Sequence, residues 1–479
     1  MNRYKKLISN TLVLGAGTFA SKLIVLLMMP FYTKLLSPDQ FGTADLVAQT
    51  ANMIIPLACI GICEGLFRFT LDTEDKKGIF STSICALTIG TLCMFLVLPL
   101  LNLFGALDGY VIVIGLYVAC ANFHSAAAQY LRAQGRNTLF AVQGMINTVL
   151  TVLLNILFLW VFELGALGYV LSVVFGDLIV TAFLVVWARL YRDFSPKSFN
   201  KLTLRELLKF SLPYIPTTMM WLITSVSDRY IVRAFCGADE TGLYAASYKI
   251  PTLLTLAAGV FVEAWQFSAV KDSTREERGR FFGSVYRSYI GVIFVAASVL
   301  IGGSKIFTEI LLDQSYYSSW TFVPVLVGAT IFSTLVSFLG SVYFVEKKSL
   351  LSMFTALTGA IINVILNFIL IPEHAAMGAA VATLISYLAV YVIRLGDTKN
   401  YVRFDTHNLL LVLNCGLLVL QSAIIYSGVR HHMLMQVAMI VIIALVNLKG
   451  IIVIIKEFLG FLPFIKNKGS KKNINDQNI

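Results

Sequence analysis

Residues 138–188 read TLFAVQGMINTVLTVLLNILFLWVFELGALGYVLSVVFGDLIVTAFLVVWA. The stretch holds two carboxylates, Glu163 and Asp177, and no lysine or arginine. A bilayer core is crossed by about 20 apolar residues in a helix. Two crossings therefore fit, 138–161 and 165–188, with a turn between them. Arg136 and Arg189 bracket the pair, which places both outer ends on one side. The crossings must be helical, because hydrocarbon offers no partner to a backbone N–H or C=O.

The same pattern recurs along all 479 residues. Apolar types make up 58%, charged types 13%, and the mean hydropathy is +0.80. A soluble domain carries about 25% charged residues, so most of this surface faces something other than water. Fourteen spans are expected: 8–32, 42–67, 79–102, 110–131, 138–161, 165–188, 209–233, 242–268, 282–303, 320–343, 350–371, 376–395, 408–428 and 433–456. Proline, glycine and charged clusters mark the breaks. The basic start (Arg3, Lys5, Lys6) leads into an apolar run with no small-residue cleavage pattern, so it reads as a first span rather than a signal peptide. The seven cysteines form no CxxC pair and read as small buried hydrophobes; no metal site is expected.

Charge alternation tests the count. With the N-terminus in the cytoplasm, 28 of the 37 Lys and Arg fall inside and four outside: Lys34, Arg233, Lys305 and Arg430. Five fall within spans: Lys22, Arg229, Lys249, Arg287 and Lys449. The last two read as interfacial. The net charge of +11 thus reflects topology and does not argue for nucleic acid. Both termini are expected in the cytoplasm of a multi-pass plasma membrane protein. The loops left outside are short, which leaves no room for a large external catalytic domain. No catalytic triad, phosphate-binding glycine loop or hydrolytic carboxylate pair is found, so the chain does not read as an enzyme and calls for no cofactor.

A weak repeat spans about 200 residues. PDQFG at 38–42 aligns with ADETG at 238–242, EGLF at 64–67 with EAWQ at 263–266, and LN at 154–155 with LN at 366–367. Two six-helix bundles in the same orientation, with a site between them, follow from this repeat. The expected domains are 1–205, 206–405, and 406–479 with two added helices and a basic tail.

A charge at mid-bilayer costs at least about 2.5 kcal/mol and normally faces a cavity or a partner. Lys22, Lys249 and Arg229 are therefore candidates to line a cationic cavity for a phosphate or pyrophosphate. Two alternatives stand beside that reading: Lys249 snorkels to the interface, or Arg229 pairs with Asp228 or Asp45. Asp45, Glu64, Asp177, Asp228 and Glu263 are the candidates for ion coupling or gating. Trp221, Tyr244, Tyr248 and Trp265 lie near these charges, as sugar platforms or as packing.

The opening segments GTFASK at 17–22, PFYT at 30–33, LSPDQFG at 36–42 and GICEGLFRF at 61–69 resemble the start of the bacterial polysaccharide flippases. These are the O-antigen and capsule repeat-unit transporters, of the superfamily shared with multidrug exporters and the lipid II flippase. The resemblance implies transport of an undecaprenyl-diphosphate-linked oligosaccharide to the outer leaflet; coupling to H+, Na+ or the membrane potential through Asp45, Asp177 or Asp228 is a separate expectation. Basic residues in helices 1, 2 and 8 line the cavity of the lipid II flippase. Lys22 and Lys249 match helices 1 and 8. Helix 2 has no central base here, only Arg68 at its cytoplasmic end, and Arg229 stands in as the third base. A cation-coupled multidrug exporter of the related twelve-helix family is the alternative.

Overall fold

The computed structural model describes residue 21 and residues 23–452, apart from 105, 106, 108, 213, 270–274, 347 and 430. The described residues are almost wholly helical and contain no strand. In order they form α1 (Met29–Leu35), α2 (Pro38–Ala58), α3 (Ile62–Asp72), α4 (Lys76–Val97), α5 (Val111–Ala133), α6 (Asn137–Asn155) and α7 (Gly165–Trp187). There follow α8 (Lys201–Ser211), α9 (Tyr214–Ser247), α10 (Lys249–Ala269), α11 (Arg275–Gly302), α12 (Ser304–Leu311) and α13 (Val323–Val345). The chain continues through α14 (Ser349–Thr398), α15 (Asn408–Tyr426) and α16 (His432–Val446). Among the described residues, eight helices are long and apolar enough to cross a membrane, or nine if the bent pair α2–α3 is one span. The first expected span, 8–32, lies mostly outside the described residues; the other thirteen each have a helical counterpart.

Local chemistry sets the helix ends. Ser37 and Gln40 form a reciprocal capping box at the start of α2, with Pro38 in the first turn, where its missing N–H is not needed. Pro56 weakens the far end of α2, and Ile60 and Gly61 have positive φ, so the chain bends by 52° before α3. The sequence predicts one span over 42–67; the structure breaks it there. Gly237 (φ 87°) and Ala375 (φ 49°) reverse the chain within α9 and α14, so that each label covers two arms. Ala375 is the strained one, because a Cβ disfavours positive φ.

By contacts the chain divides into two units. One gathers the described residues of Met1–Lys249, Thr308–Phe322 and Leu350–Ser386; the other those of Ile250–Phe307, Val323–Ser349 and Tyr387–Ile479.

In the first unit the two arms of the sequence repeat meet. Gly42 of PDQFG and Gly242 of ADETG bring α2 and α9 together with no side chain between them: a Cβ on Gly242 would lie 1.8 Å from the Pro38 carbonyl oxygen. Asp313 donates its backbone N–H to Thr33 Oγ1 (3.0 Å), and Tyr316 donates to the Leu36 carbonyl (2.9 Å). Burial, then the nearby Asp313 and Asp239 carboxylates, pushes the Tyr316 phenol well above its ordinary range, so it stays a donor.

The second unit is built on aromatic and amide contacts. Tyr289 stacks on Phe338, and the Tyr286 and Tyr391 hydroxyls bond at 2.8 Å. Gln421 of α15 binds Ser298 of α11 twice, accepting from its hydroxyl (2.8 Å) and donating to its carbonyl (3.0 Å). Gln436 of α16 donates to the Gln421 carbonyl (3.1 Å), and Asn414 and Asn447 exchange amide hydrogen bonds (3.2 and 2.7 Å). Buried amides and outward leucines such as Leu409 and Leu434 are the inverse of a soluble bundle and suit hydrocarbon outside. Arg394, counted from the sequence among the cytoplasmic-side cations at the end of span 376–395, is 1% exposed inside α14. It donates to the Val336 carbonyl (2.9 Å) and lies over the Tyr343 ring, which replaces the water its charge would otherwise need.

Candidate functional site

The reversal at Gly237 lets α9 present Asp228, Arg229 and Tyr244 on its two arms, with Tyr248 and Lys249 just beyond its end. The close approach at Gly42 sets α2, and with it Asp45, against them. Arg229 Nε donates to Asp45 Oδ2 at 2.7 Å, and its Nη1 lies 3.5 Å from Asp228 Oδ1. Asp228 accepts from the Arg229 backbone N–H (2.8 Å) and from the hydroxyls of Tyr244 (2.7 Å) and Tyr248 (3.2 Å). The Arg229 guanidinium lies 4.7 Å from the Tyr248 ring centroid. Below it, Thr50 and Tyr230 share a hydrogen bond. Arg229 is 6% exposed, and so buried a guanidinium is tolerable only with such partners.

Lys249 differs. Its Nζ is 3.8 Å from Asp45 Oδ1 and 5.6 Å from the Phe41 ring centroid, and its side chain is 27% exposed. It shares Asp45 with Arg229 but is held loosely. Two carboxylates and two bases formally balance, so the quartet is neutral at rest. Lys249 makes one long ion pair, while the Arg229 guanidinium is engaged by both carboxylates. The alternative in which Arg229 pairs with Asp45 and Asp228 is thus the arrangement observed.

A second buried polar group lies within α5, α6 and α7. His124 Nδ1 is 2.9 Å from Asp177 Oδ1, and His124 Nε2 is 2.6 Å from Gln143 Oε1. Asn147 donates to Asp177 Oδ1 at 2.8 Å. Gly176 permits the closeness, since a Cβ there would lie 2.6 Å from Thr151 Oγ1. Both imidazole nitrogens face acceptors as the Gln143 amide is oriented, an arrangement that suits an imidazolium. A neutral ring would suit the flipped amide.

Glu64 and Arg68 are exposed on α3, beyond the bend. Lys22 lies outside the described residues, and so do the side chains of Glu263, Trp221 and Trp265. Tyr244 and Tyr248 are hydrogen-bond donors to Asp228 rather than free stacking surfaces. His124 is not among the residues that the sequence singled out. Its place in the middle of an apolar span was the available signal.

The family described as polysaccharide biosynthesis protein matches residues 7–266. No curated protein matches the sequence. Among solved structures, the lipid II flippase MurJ in an inward closed conformation superposes with a TM-score of 0.71 at 14% identity, covering 94% of this chain and 100% of its own. An inward-facing multidrug resistance MATE family transporter of the MOP superfamily gives 0.64 at 13% identity, with 80% and 95% covered. A MOP superfamily transporter from Pyrococcus furiosus gives 0.54 at 13% identity, with 81% and 95% covered. At these identities the likeness is one of fold, and it joins a membrane-spanning helical architecture to a family match over more than half the chain: this protein belongs to the polysaccharide biosynthesis protein family, with the fold of the MOP-superfamily transporters.

Proposed function

We propose that this protein is a flippase that carries an undecaprenyl-diphosphate-linked oligosaccharide repeat unit from the cytoplasmic to the outer leaflet of a bacterial plasma membrane, for surface polysaccharides such as O-antigen or capsule. The observation that carries the reading is Lys249: a half-buried ammonium, loosely tethered to a carboxylate that a second base already neutralises. A diphosphate entering the cavity takes Lys249 from Asp45, and Asp45 keeps its partner in Arg229. The exchange adds an anion without leaving a buried carboxylate unpaired. Lys22, on the first span, is the second base of the site. Arg229 acts through Asp45 and Asp228, and Arg68 meets the head group on the cytoplasmic side. The two bundles of the repeat, 1–205 and 206–405, rock about the site, while the prenyl tail stays in lipid. Both termini stay in the cytoplasm.

Coupling to H+ or Na+ belongs to the carboxylates. Asp177 is the leading candidate, because its neighbour His124 titrates near neutral pH in its ordinary state. Glu64 and Glu263 complete the set as gating residues.

The test is translocation of a lipid-linked repeat unit in proteoliposomes. Lys249→Ala and Lys22→Ala are expected to abolish it without loss of folded protein; unchanged transport in both would remove this site. The multidrug reading rests on the MATE-like fold and the acidic residues at the same place. Ion-driven efflux of cationic dyes by the purified protein, without glycolipid transport, would select it instead.

A further inference from the structure

The second unit contains a cavity of about 800 Å³, formed where the start of α11, the segment 403–407 and the residues just after α16 come together. Glycines make the fit. A Cβ on Gly279 would lie 2.4 Å from the Arg403 carbonyl oxygen, and one on Gly450 would lie 2.9 Å from the Arg287 carbonyl oxygen. Four bases line the space: Arg280, Arg287, Arg403 and Lys449. Its one carboxylate, Asp405, is occupied by His407, whose Nδ1 lies 3.1 Å away and whose backbone N–H donates to it at 2.9 Å. Among the described residues no carboxylate forms an ion pair with any of the four bases.

Two further features point to an anion. Ser288 lines the cavity, is 3% exposed, and its hydroxyl has no hydrogen-bond partner among the described residues. His407 precedes α15 in a left-handed conformation (φ 45°) and gives no side-chain cap, so the first N–H groups of that 19-residue helix open near the cavity rim.

We propose that this cavity binds the phosphate-bearing head group of a lipid. The volume far exceeds a bare phosphate and suits a head group with substituents. The apolar side chains of Leu409, Val412 and Leu413, exposed on the adjoining α15, offer acyl or prenyl chains a surface that a soluble anion would not use. The charge alternation of the sequence sets this end of the unit at the cytoplasmic surface, where anionic lipids concentrate and basic pockets between helices recognise them. Arg287 and Lys449, which the sequence presents as interfacial, thereby join Arg280 and Arg403 in one recognition site, distinct from Lys249. The inference does not depend on the flippase reading, because its test measures binding and not transport.

The experiment is native mass spectrometry of the full chain in detergent, titrated with phosphatidylglycerol, phosphatidylcholine, a short-chain prenyl diphosphate and inorganic pyrophosphate. Selective retention of a phosphate lipid with net negative charge is expected. It should weaken at least about tenfold in Arg287→Gln/Arg403→Gln. Arg280→Gln/Lys449→Gln, at two exposed positions, serves as the second variant if the first folds poorly. Retention of phosphatidylglycerol identifies a bulk membrane lipid as the source, and retention of the prenyl diphosphate alone identifies the carrier lipid; both support the site. Equal retention of phosphatidylcholine, undiminished binding in both variants, or pyrophosphate bound as tightly as either lipid would overturn it.

Discussion

Gly42 and Gly242, 200 positions apart in the sequence, lie against each other: a Cβ on Gly42 would fall 2.6 Å from the backbone nitrogen of Gly242. The two arms of the repeat therefore touch through backbone alone at the point where α2 and α9 begin to share the Asp45–Arg229 pair. The closeness of the helices is a condition for that pair, since Arg229 reaches Asp45 at 2.7 Å.

Gly242→Ala is expected to destabilise the protein by about 1–3 kcal/mol through overpacking against the Pro38 carbonyl. Gly416→Ala, on the outer part of α15 with nothing within 4 Å of its Cβ position, is the control and should be close to neutral. Thermal unfolding of the detergent-purified variants, followed by loss of the monodisperse peak in size-exclusion chromatography, compares them. Equal midpoints would show that the backbone contact gives way freely.

Arg229 and Lys249 should separate in their effects. Arg229→Ala leaves Asp45 and Asp228 without their guanidinium in a buried setting and is expected to cost about 3–5 kcal/mol, seen as loss of folded protein. Lys249→Ala removes a loosely held, part-exposed cation and should leave the unfolding midpoint nearly unchanged while transport is lost. If Asp45→Asn rescues the folding of Arg229→Gln, the uncompensated carboxylate is the cause.

His124→Gln is expected to flatten the dependence of transport on an imposed pH gradient, and Asp177→Asn to do the same. Because the two side chains are 2.9 Å apart, the double variant should be no worse than either single one. Transport initial rates at several internal pH values test this; strictly additive losses would mean that the pair does not act as one unit.

The amide pair Asn414–Asn447 should show a coupling of about 0.6 kcal/mol, and no more than about 1.7 kcal/mol, in a double-mutant cycle to Ala, as hydrogen bonds between membrane helices do. Gln421→Leu removes two bonds to Ser298 and should loosen α15 and α16 from α11. Accelerated proteolysis confined to residues beyond 400 is the expected sign, with the remainder of the chain resistant.

The spans were legible because membrane insertion reads a local quantity. Twenty apolar residues in a row have one fate whatever they touch, and the helix after Glu163 begins as the turn predicts. The break in 42–67 was less legible. Pro56 and Gly61 were visible, but whether they bend a span depends on what packs beside it. The burial of Arg394 was not legible for a related reason: hydropathy sees its charge, while burial depends on the Val336 carbonyl and the Tyr343 ring, about 50 residues away.

By itself the sequence determined that this is an all-helical membrane protein with about fourteen spans, and it named Asp45, Asp228, Arg229, Lys249 and Asp177 as residues whose burial needed a reason. These follow from transfer free energies, which each segment carries alone. Only the tertiary structure decided the partners: Asp45 to Arg229 across 184 positions, and His124 to Asp177 across three helices. A buried charge is tolerated through whatever lies within about 4 Å of it, and that neighbourhood is a property of the packed helices rather than of any one of them.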